Sequence, residues 1–373
     1  MFLANYTILN KSTTRGFVAS QPNKSSIVHR IGETLLSSLV TKMLRKAKKA
    51  YLELFNKITN QHYLLDSRIG LAEDELKYRI GLSAIAAARN RYDNIQQIEE
   101  ADLRVFSQYG EDGIIDFICA RLGLLKPTFV EIGTEDYSEC NTRFLFQRTN
   151  TKGLIIDNDI ELAQKAKFIL RDYYWKGDLT GISGFVTKDN ICDMLNAGGY
   201  NWLNADIFSL DIDGNDYWIM RKIIGLCTFK VIVAEYNPYF GPSLSISTPY
   251  HEYFNRSEYH FSNLCFGASL KAFYTLMDVH GYIFAGSNLN NSNGFWIRED
   301  VFPLLGIKAP SVDNLAYYTA NYCRESRNAD GQLTYLSGAD RFRQIINCIV
   351  AQTDNDDRLK SIHELVSCTE LDE

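Results

Sequence analysis

From Ile27 to about Ile58 apolar residues recur every three or four positions (Val28, Ile31, Leu35, Leu39, Met43, Tyr51, Leu54, Ile58), with Lys42, Arg45, Lys46, Lys48 and Lys49 between them. That spacing predicts an amphipathic helix, or a helix pair, with a basic solvated face. A second helical stretch is predicted over roughly Leu71 to Gln97, where IGLSAIAAARNRY supplies strong helix formers. After Val105 the texture changes. Short apolar runs end in acidic or glycine-bearing turns and alternate with helix-length segments, the pattern of a parallel α/β sheet. Strands are predicted at Thr128–Ile132, Gly153–Ile156, Gly181–Val186, Ile207–Ile212, Val231–Glu235, Tyr282–Gly286 and Gly294–Ile297. The last two are close enough to form a hairpin, so one of them must run antiparallel. The expected fold class is α/β: a Rossmann-like, seven-stranded, mostly parallel sheet with one antiparallel strand, behind an N-terminal helical extension.

A chain of 373 residues accommodates three parts. These are a helical extension over 1–100, the α/β domain over 101–300, and a mostly helical extension over 301–373. Two polar stretches, Asn10–Ser26 and Gly286–Gly294, read as loops. With 46% hydrophobic and 23% charged residues the chain belongs with folded proteins rather than disordered tails. The net charge of -6 gives no reason to expect a nucleic acid as partner, which leaves a small-molecule or glycan ligand. Lys and Arg nevertheless dominate the first sixty or so residues, which points to a membrane-surface or protein contact through the basic helix, or to a homo-oligomer. Eight scattered cysteines without a CxxC pair suit reduced thiols and a cytoplasmic location. The sequence holds no apolar run of about 18 residues, and its start lacks the apolar core of a signal peptide.

Candidate chemistry gathers where the predicted strands end. TFVEIGTEDYSECNTRFLF places Glu131 and Gly133 at the carboxyl edge of the first strand, where open α/β sheets bind ligands. The dinucleotide fingerprint G-x-G-x-x-G is absent, which argues against a pyrophosphate cradle. Asp157 closes the second strand, and a carboxylate there suits ribose hydroxyls because it accepts both hydrogen bonds; capping of the next helix is the competing role. Asp178, before the third strand, is a candidate neighbour of the base. SLDIDGNDYW delivers Asp211 and Asp213 to one face at the end of the fourth strand, with Asn215 behind them. Like charges that close need a cation, a shared proton or donors. One strand later VIVAEYNPYFGPS brings Glu235 and Asn237 to the same edge, and Asp211, Asp213, Glu235 and Asn237 form an all-oxygen set of the type Mg²⁺ prefers. Without a metal, one of these carboxylates is a candidate general base. The aromatic insertion from Tyr236 to Phe266 suits a polyhydroxylated acceptor, with Asn215, Tyr236, Asn237 and Tyr250 as candidate contacts and His260 as a further candidate base.

The strings FSQYGEDGIIDFI, FVEIGTEDYSECNTRFLF, GLIID, FVTKDNI, SLDIDGNDYWI, VAEYNPYFGPS, PYHEYF and FGASLKAF, in that order over roughly residues 104 to 300, resemble the FkbM-like methyltransferase family. The resemblance implies a class I methyltransferase fold, S-adenosyl-L-methionine as cofactor, and O-methylation of a sugar or related hydroxyl in polysaccharide or natural-product pathways. It matches Glu131, Gly133 and Asp157 to cofactor-binding positions. Gln108 and Glu111 fall near the methionine end, and Asp211, Asp213, Glu235 and Asn237 face the acceptor. This chain departs from the family where a glycine often follows the first-strand acid: Asp136 and Tyr137 stand there instead.

Two other classes compete. Asp211-Ile212-Asp213 also reads as the D-x-D motif of a metal-dependent nucleotide-sugar glycosyltransferase, and a catalytically inactive scaffold docking through its basic helix is the non-enzymatic alternative. A calcium loop fits poorly, since the glycine of DIDGND stands fourth rather than sixth.

Overall fold

A computed structural model describes residues 24–171, 178–319 and 325–369. The chain divides into two compact units, one through Gly70 and one from Leu71 onward. The first is helical, part of a run bounded by Lys24 and Arg89. The first stretch and the second as far as Arg89 form one run, whereas Tyr92–Asn94 is a separate 3-10 turn. No proline interrupts them, and each internal glycine costs only about 1 kcal/mol. The loop expected at Asn10–Ser26 lies outside the described residues except for positions 24 to 26, which begin the helix. Among the described residues, no helix is long and apolar enough to cross a membrane.

The second unit is built on a seven-stranded sheet. Its strands are β1 (Phe129–Ile132), β2 (Lys152–Asp157), β3 (Asp178–Ser183), β4 (Ile207–Leu210) and β5 (Val231–Glu235), followed after the short β6 (Ile246–Ser247) by β7 (Tyr282–Ser287) and β8 (Asn293–Arg298). The spatial order is β3-β2-β1-β4-β5-β8-β7. β1 to β5 pair in parallel, whereas β8 runs antiparallel to both of its neighbours. This is the Rossmann-like sheet of class I methyltransferases. The third strand begins and ends three residues earlier than its apolar run predicts, because Asp178 to Thr180 pair with Lys152 to Leu154.

Alternation along the strands feeds two cores, one on each face. Val130 and Ile132 of β1 join the cluster containing Tyr217 and Met220 of the helix Asp216–Ile223 and Phe273 of the helix Leu270–Asp278. Phe129 faces the other side, with Ile114, Phe117 and Ile118 of the helix Glu111–Arg121. Burial on both faces is why these strands read as continuous apolar runs.

The C-terminal segment contributes two helices (Ala339–Ile345 and Ile362–Thr369) and two strands, β9 (Ile349–Gln352) and β10 (Arg358–Ser361). β9 pairs with β6, which belongs to the aromatic insertion after β5. A third apolar cluster, including Phe240, Ile246 and Leu264 with Ile345, Val350 and Ile362, packs the two segments together. The insertion is thus anchored by residues a hundred positions downstream.

Candidate active site

The chain runs outward from β1 to β3 on one side of the sheet and returns to β4 on the other. A crevice therefore opens between the carboxyl ends of β1 and β4. The two ends nearly touch. Gly133 has φ +85°, and a Cβ built on it would lie 1.5 Å from the carbonyl oxygen of Asp211. Only glycine permits both that conformation and that approach. The cavity above this point has a volume of about 710 Å³, within the range of small-molecule sites.

Gln108, Glu131, Gly133, Asp157, Asp211, Asp213, Asn215 and Glu235 all line this cavity. Glu131 is buried; it accepts hydrogen bonds from the amides of Asn141 (2.8 Å) and Thr142 (3.0 Å) and from the Thr142 hydroxyl (2.5 Å). Burial raises its pKa to about 7 against the pull of these donors. Asp157 ties the turns together. Its Oδ2 accepts the Thr134 and Glu135 amides at 2.9 and 2.8 Å, and its Oδ1 accepts the Asp159 amide at 2.9 Å. Two amides fill Oδ2, and Oδ1 keeps acceptor capacity for a ligand hydroxyl.

The DIDGND turn is held from within by Asp216, a buried carboxylate that accepts the Ile212 and Gly214 amides, both at 2.8 Å. Asp213, at φ +57°, is left exposed at the rim. Asp211, Asp213 and Glu235 each offer an oxygen within 4.8 Å of the others. The Asp211 and Glu235 carboxyls share a hydrogen bond, and burial together with mutual repulsion holds both pKa values well above the carboxylate range.

Six expected residues are placed elsewhere. Asp178 is the first residue of β3 and pairs with Lys152 at the amino edge of the sheet. An acid preceding a parallel strand lies at the end opposite the crevice. Asn237 is buried and committed to the insertion: its Oδ1 accepts the Tyr239 amide and its Nδ2 donates to the Leu264 and Phe266 carbonyls. It pins the insertion and lies outside the cavity lining. The buried Tyr236 hydroxyl meets Ser287 and the Tyr318 carbonyl. Tyr250 lies under the Lys188 ammonium, 4.3 Å from its ring centroid, and outside the cavity lining. His260 bonds Ser262 Oγ at 2.7 Å, and burial lowers its pKa. Glu111 backs the cavity rather than lining it, accepting from Asn293 Nδ2 at 2.7 Å and Asn288 Nδ2 at 2.6 Å.

The structure adds residues that sequence reasoning missed. Arg256, in the insertion's short helix Arg256–Tyr259, pairs with Asp213 and Glu325 and stacks 4.8 Å over the Phe266 ring. Asn293 lines the cavity from β8, directly opposite Glu235. Three buried lining atoms, Thr134 Oγ1, Asn215 Oδ1 and Asn293 Oδ1, have no hydrogen-bond partner. A lone arginine among aromatics and a strand-end asparagine carry no distinguishing local signal.

No family model and no curated protein matches the chain. Among solved structures it is similar to M. capricolum TrmK bound to S-adenosyl-homocysteine, at 12% identity and TM-score 0.28 over 48% of this chain and 65% of that one. It is also similar to the pyocyanin biosynthetic protein PhzM, at 15% identity and TM-score 0.29 over 48% of this chain and 53% of that one. Podospora anserina methyltransferase PaMTH1 bound to SAH gives 11% identity and TM-score 0.30 over 48% of this chain and 75% of that one. The match thus spans less than two thirds of the length of TrmK and PhzM. Likenesses this distant assign no residue and no activity, and the fold rests on the strand order itself.

Proposed function

We propose that this protein is an S-adenosylmethionine-dependent methyltransferase of the FkbM-like type that methylates a hydroxyl of a sugar or glycan precursor. The observation that carries the reading is the convergence of Glu131, Gly133, Asp157, Asp213 and Glu235 on one cavity at the β1/β4 crevice. The cavity also fits the cofactor's charge. Among the described residues it is lined by eight carboxylates (Glu131, Glu135, Glu139, Asp157, Asp211, Asp213, Glu235, Glu325), and its one guanidinium, Arg256, is already paired. Such a field favours a sulfonium and an ammonium and disfavours the diphosphate of a nucleotide sugar. The three orphaned oxygens are acceptors that a bound ligand would satisfy.

S-adenosylmethionine supplies an electrophilic methyl group to an acceptor aligned with it. Asp157 would receive a ribose hydroxyl on Oδ1, and Glu131 and Gln108 would bound the methionine end. Gly133 lets the ligand approach the main chain. The acceptor would lie toward Asp213, Glu235 and Asn215, where Asp213 is the candidate base for the hydroxyl proton. Mg²⁺, if used, would be held by Asp211, Asp213 and Glu235, with Asn293 in the place first expected for Asn237, and would lower the pKa of the acceptor hydroxyl.

Calorimetry with S-adenosylhomocysteine, UDP and GDP tests the reading. Binding of S-adenosylhomocysteine with a micromolar Kd and none of the nucleotides is expected. Selective UDP or GDP binding would instead support the glycosyltransferase, and absence of all binding would leave a scaffold.

A further inference from the structure

Asn215 and Asn293 are 3% and 4% exposed, and the Oδ1 of each has no hydrogen-bond partner. Both amides are held by their nitrogens: Asn215 Nδ2 donates to the His251 carbonyl at 2.8 Å, and Asn293 Nδ2 donates to Glu111 Oε1 at 2.7 Å. What each leaves for the cavity is therefore an acceptor, never a donor. Tyr239 and Phe266, whose ring centroids stand 6.3 Å apart, add apolar faces to the same end. A ligand that satisfies these walls must bring its own donors and a C–H face, as hydroxyls on a saturated ring do. We infer that the acceptor is an uncharged glycoside with a hydroxyl donating to Asn215 Oδ1, methylated only after its sugar has left a phosphate-activated carrier. Sugar phosphates, nucleotide sugars and uronic acids are excluded. The inference rests on the methyltransferase reading above and adds the acceptor's charge and the reaction, glycosyl transfer, that must supply it.

Three observations exclude the charged forms. Among the described residues no lysine or histidine lines the cavity, whereas eight carboxylates do. A phosphate on the anomeric carbon is only a sugar ring away from any hydroxyl the cofactor could reach, so it would sit among those acids. Second, the one guanidinium is committed. Arg256 pairs with Asp213 and Glu325, and an anion that drew it away would strip both carboxylates of their counter-charge. Third, the short helix Arg256–Tyr259 at the cavity wall offers no free first-turn amides to a phosphate at its capped end, because Asn255 Oδ1 already accepts the Ser257 and Glu258 amides at 3.0 and 3.2 Å.

Saturation-transfer NMR on the full chain loaded with S-adenosylhomocysteine compares matched pairs. The methyl glycosides of glucose, galactose, mannose and N-acetylglucosamine are set against the 1-phosphates and nucleoside-diphosphate forms of the same sugars, and methyl glucoside against methyl glucuronide. Mg²⁺ is supplied throughout, so that the phosphates have every chance to bind. Of each sugar that binds, the glycoside should give the stronger signal, with its charged partner at least about tenfold weaker. Asn215→Ala should lose the glycoside signal while still binding S-adenosylhomocysteine, which shows that the variant is folded. Equal or tighter binding of a phosphorylated or uronic partner overturns the inference, as does a panel in which no glycoside binds, or a glycoside signal undiminished in Asn215→Ala. Calorimetry before any sugar is added separates the two levels: a wild type that does not bind S-adenosylhomocysteine overturns the methyltransferase reading, and this inference with it.

Discussion

Asn293 stands directly opposite Glu235 in the antiparallel β5/β8 register, and its side-chain oxygen has no hydrogen-bond partner. Its amide donates to Glu111, so the free oxygen is the side left for the cavity. A buried acceptor without a partner costs about 1–3 kcal/mol, and a bound ligand or cation relieves that cost. Glu235 meanwhile lies against Asp211, and burial with mutual repulsion raises the pKa of both. The oxygens of Asp211, Asp213 and Glu235 lie within 4.8 Å of one another, and a cation held by them is the ligand we propose for the Asn293 oxygen to join.

Asn293→Ala should therefore weaken binding of Mn²⁺, used as a spectroscopic stand-in for Mg²⁺, by about tenfold. S-adenosylhomocysteine affinity should change less. Electron paramagnetic resonance titration of free Mn²⁺ measures the first and calorimetry the second; equal Mn²⁺ affinity in both proteins would remove Asn293 from the ligand set.

Arg256 occupies the carboxylate that such a cation would use, since it pairs with Asp213 and Glu325. Arg256→Ala should raise Mn²⁺ affinity several-fold and steepen its dependence on ionic strength. A fall in affinity would show that the arginine supports the site instead of competing for it.

Gly133→Ala should abolish S-adenosylhomocysteine binding, because the added carbon would fall 1.5 Å from the Asp211 main-chain oxygen and force β1 and β4 apart at their ends. Far-UV circular dichroism should remain native, as the strands themselves are untouched. Retention of binding within threefold would show that the close approach of the two turns is not needed for the ligand.

The buried Glu131 carboxyl makes stability depend on pH. Its pKa is pushed from 4.5 up to about 7 by burial. Between those values the unfolded chain has released a proton that the folded chain still holds, so stability falls as pH climbs from about 4.5 to 7 and levels off above. The full loss is at most about 3 kcal/mol. In Glu131→Gln that slope should flatten. Thermal midpoints of both proteins at pH 5, 6, 7 and 8 check this, and parallel curves would mean that Glu131 ionises freely in the folded state.

Much of the fold is legible from local pattern. Apolar runs of strand length ending in acids or glycine located all seven sheet strands, because a strand buried on both faces must be apolar throughout and its carboxyl end must turn. The same rule brought Glu131, Gly133, Asp157, Asp211, Asp213 and Glu235 to one edge. Asp178 shows the rule's limit. It opens its strand instead of closing it, and parallel pairing with β2 sets it beside Lys152 at the far end of the sheet.

Roles set by non-local packing were decided only in three dimensions. Asn237 and Tyr236 sit beside Glu235 in the chain, yet hydrogen bonds to residues 27 to 82 positions away turn them into supports of the insertion. Asn293 and Arg256 enter the cavity because β8 inserts beside β5 and because β9 anchors the insertion through β6. The sequence by itself determined the strands, their order of chemistry and the acidic edge, since each depends on a few neighbouring residues. Which side chains remain free to meet a ligand depended on the tertiary structure, since a polar group's availability is settled by whatever distant donor or acceptor folding places against it.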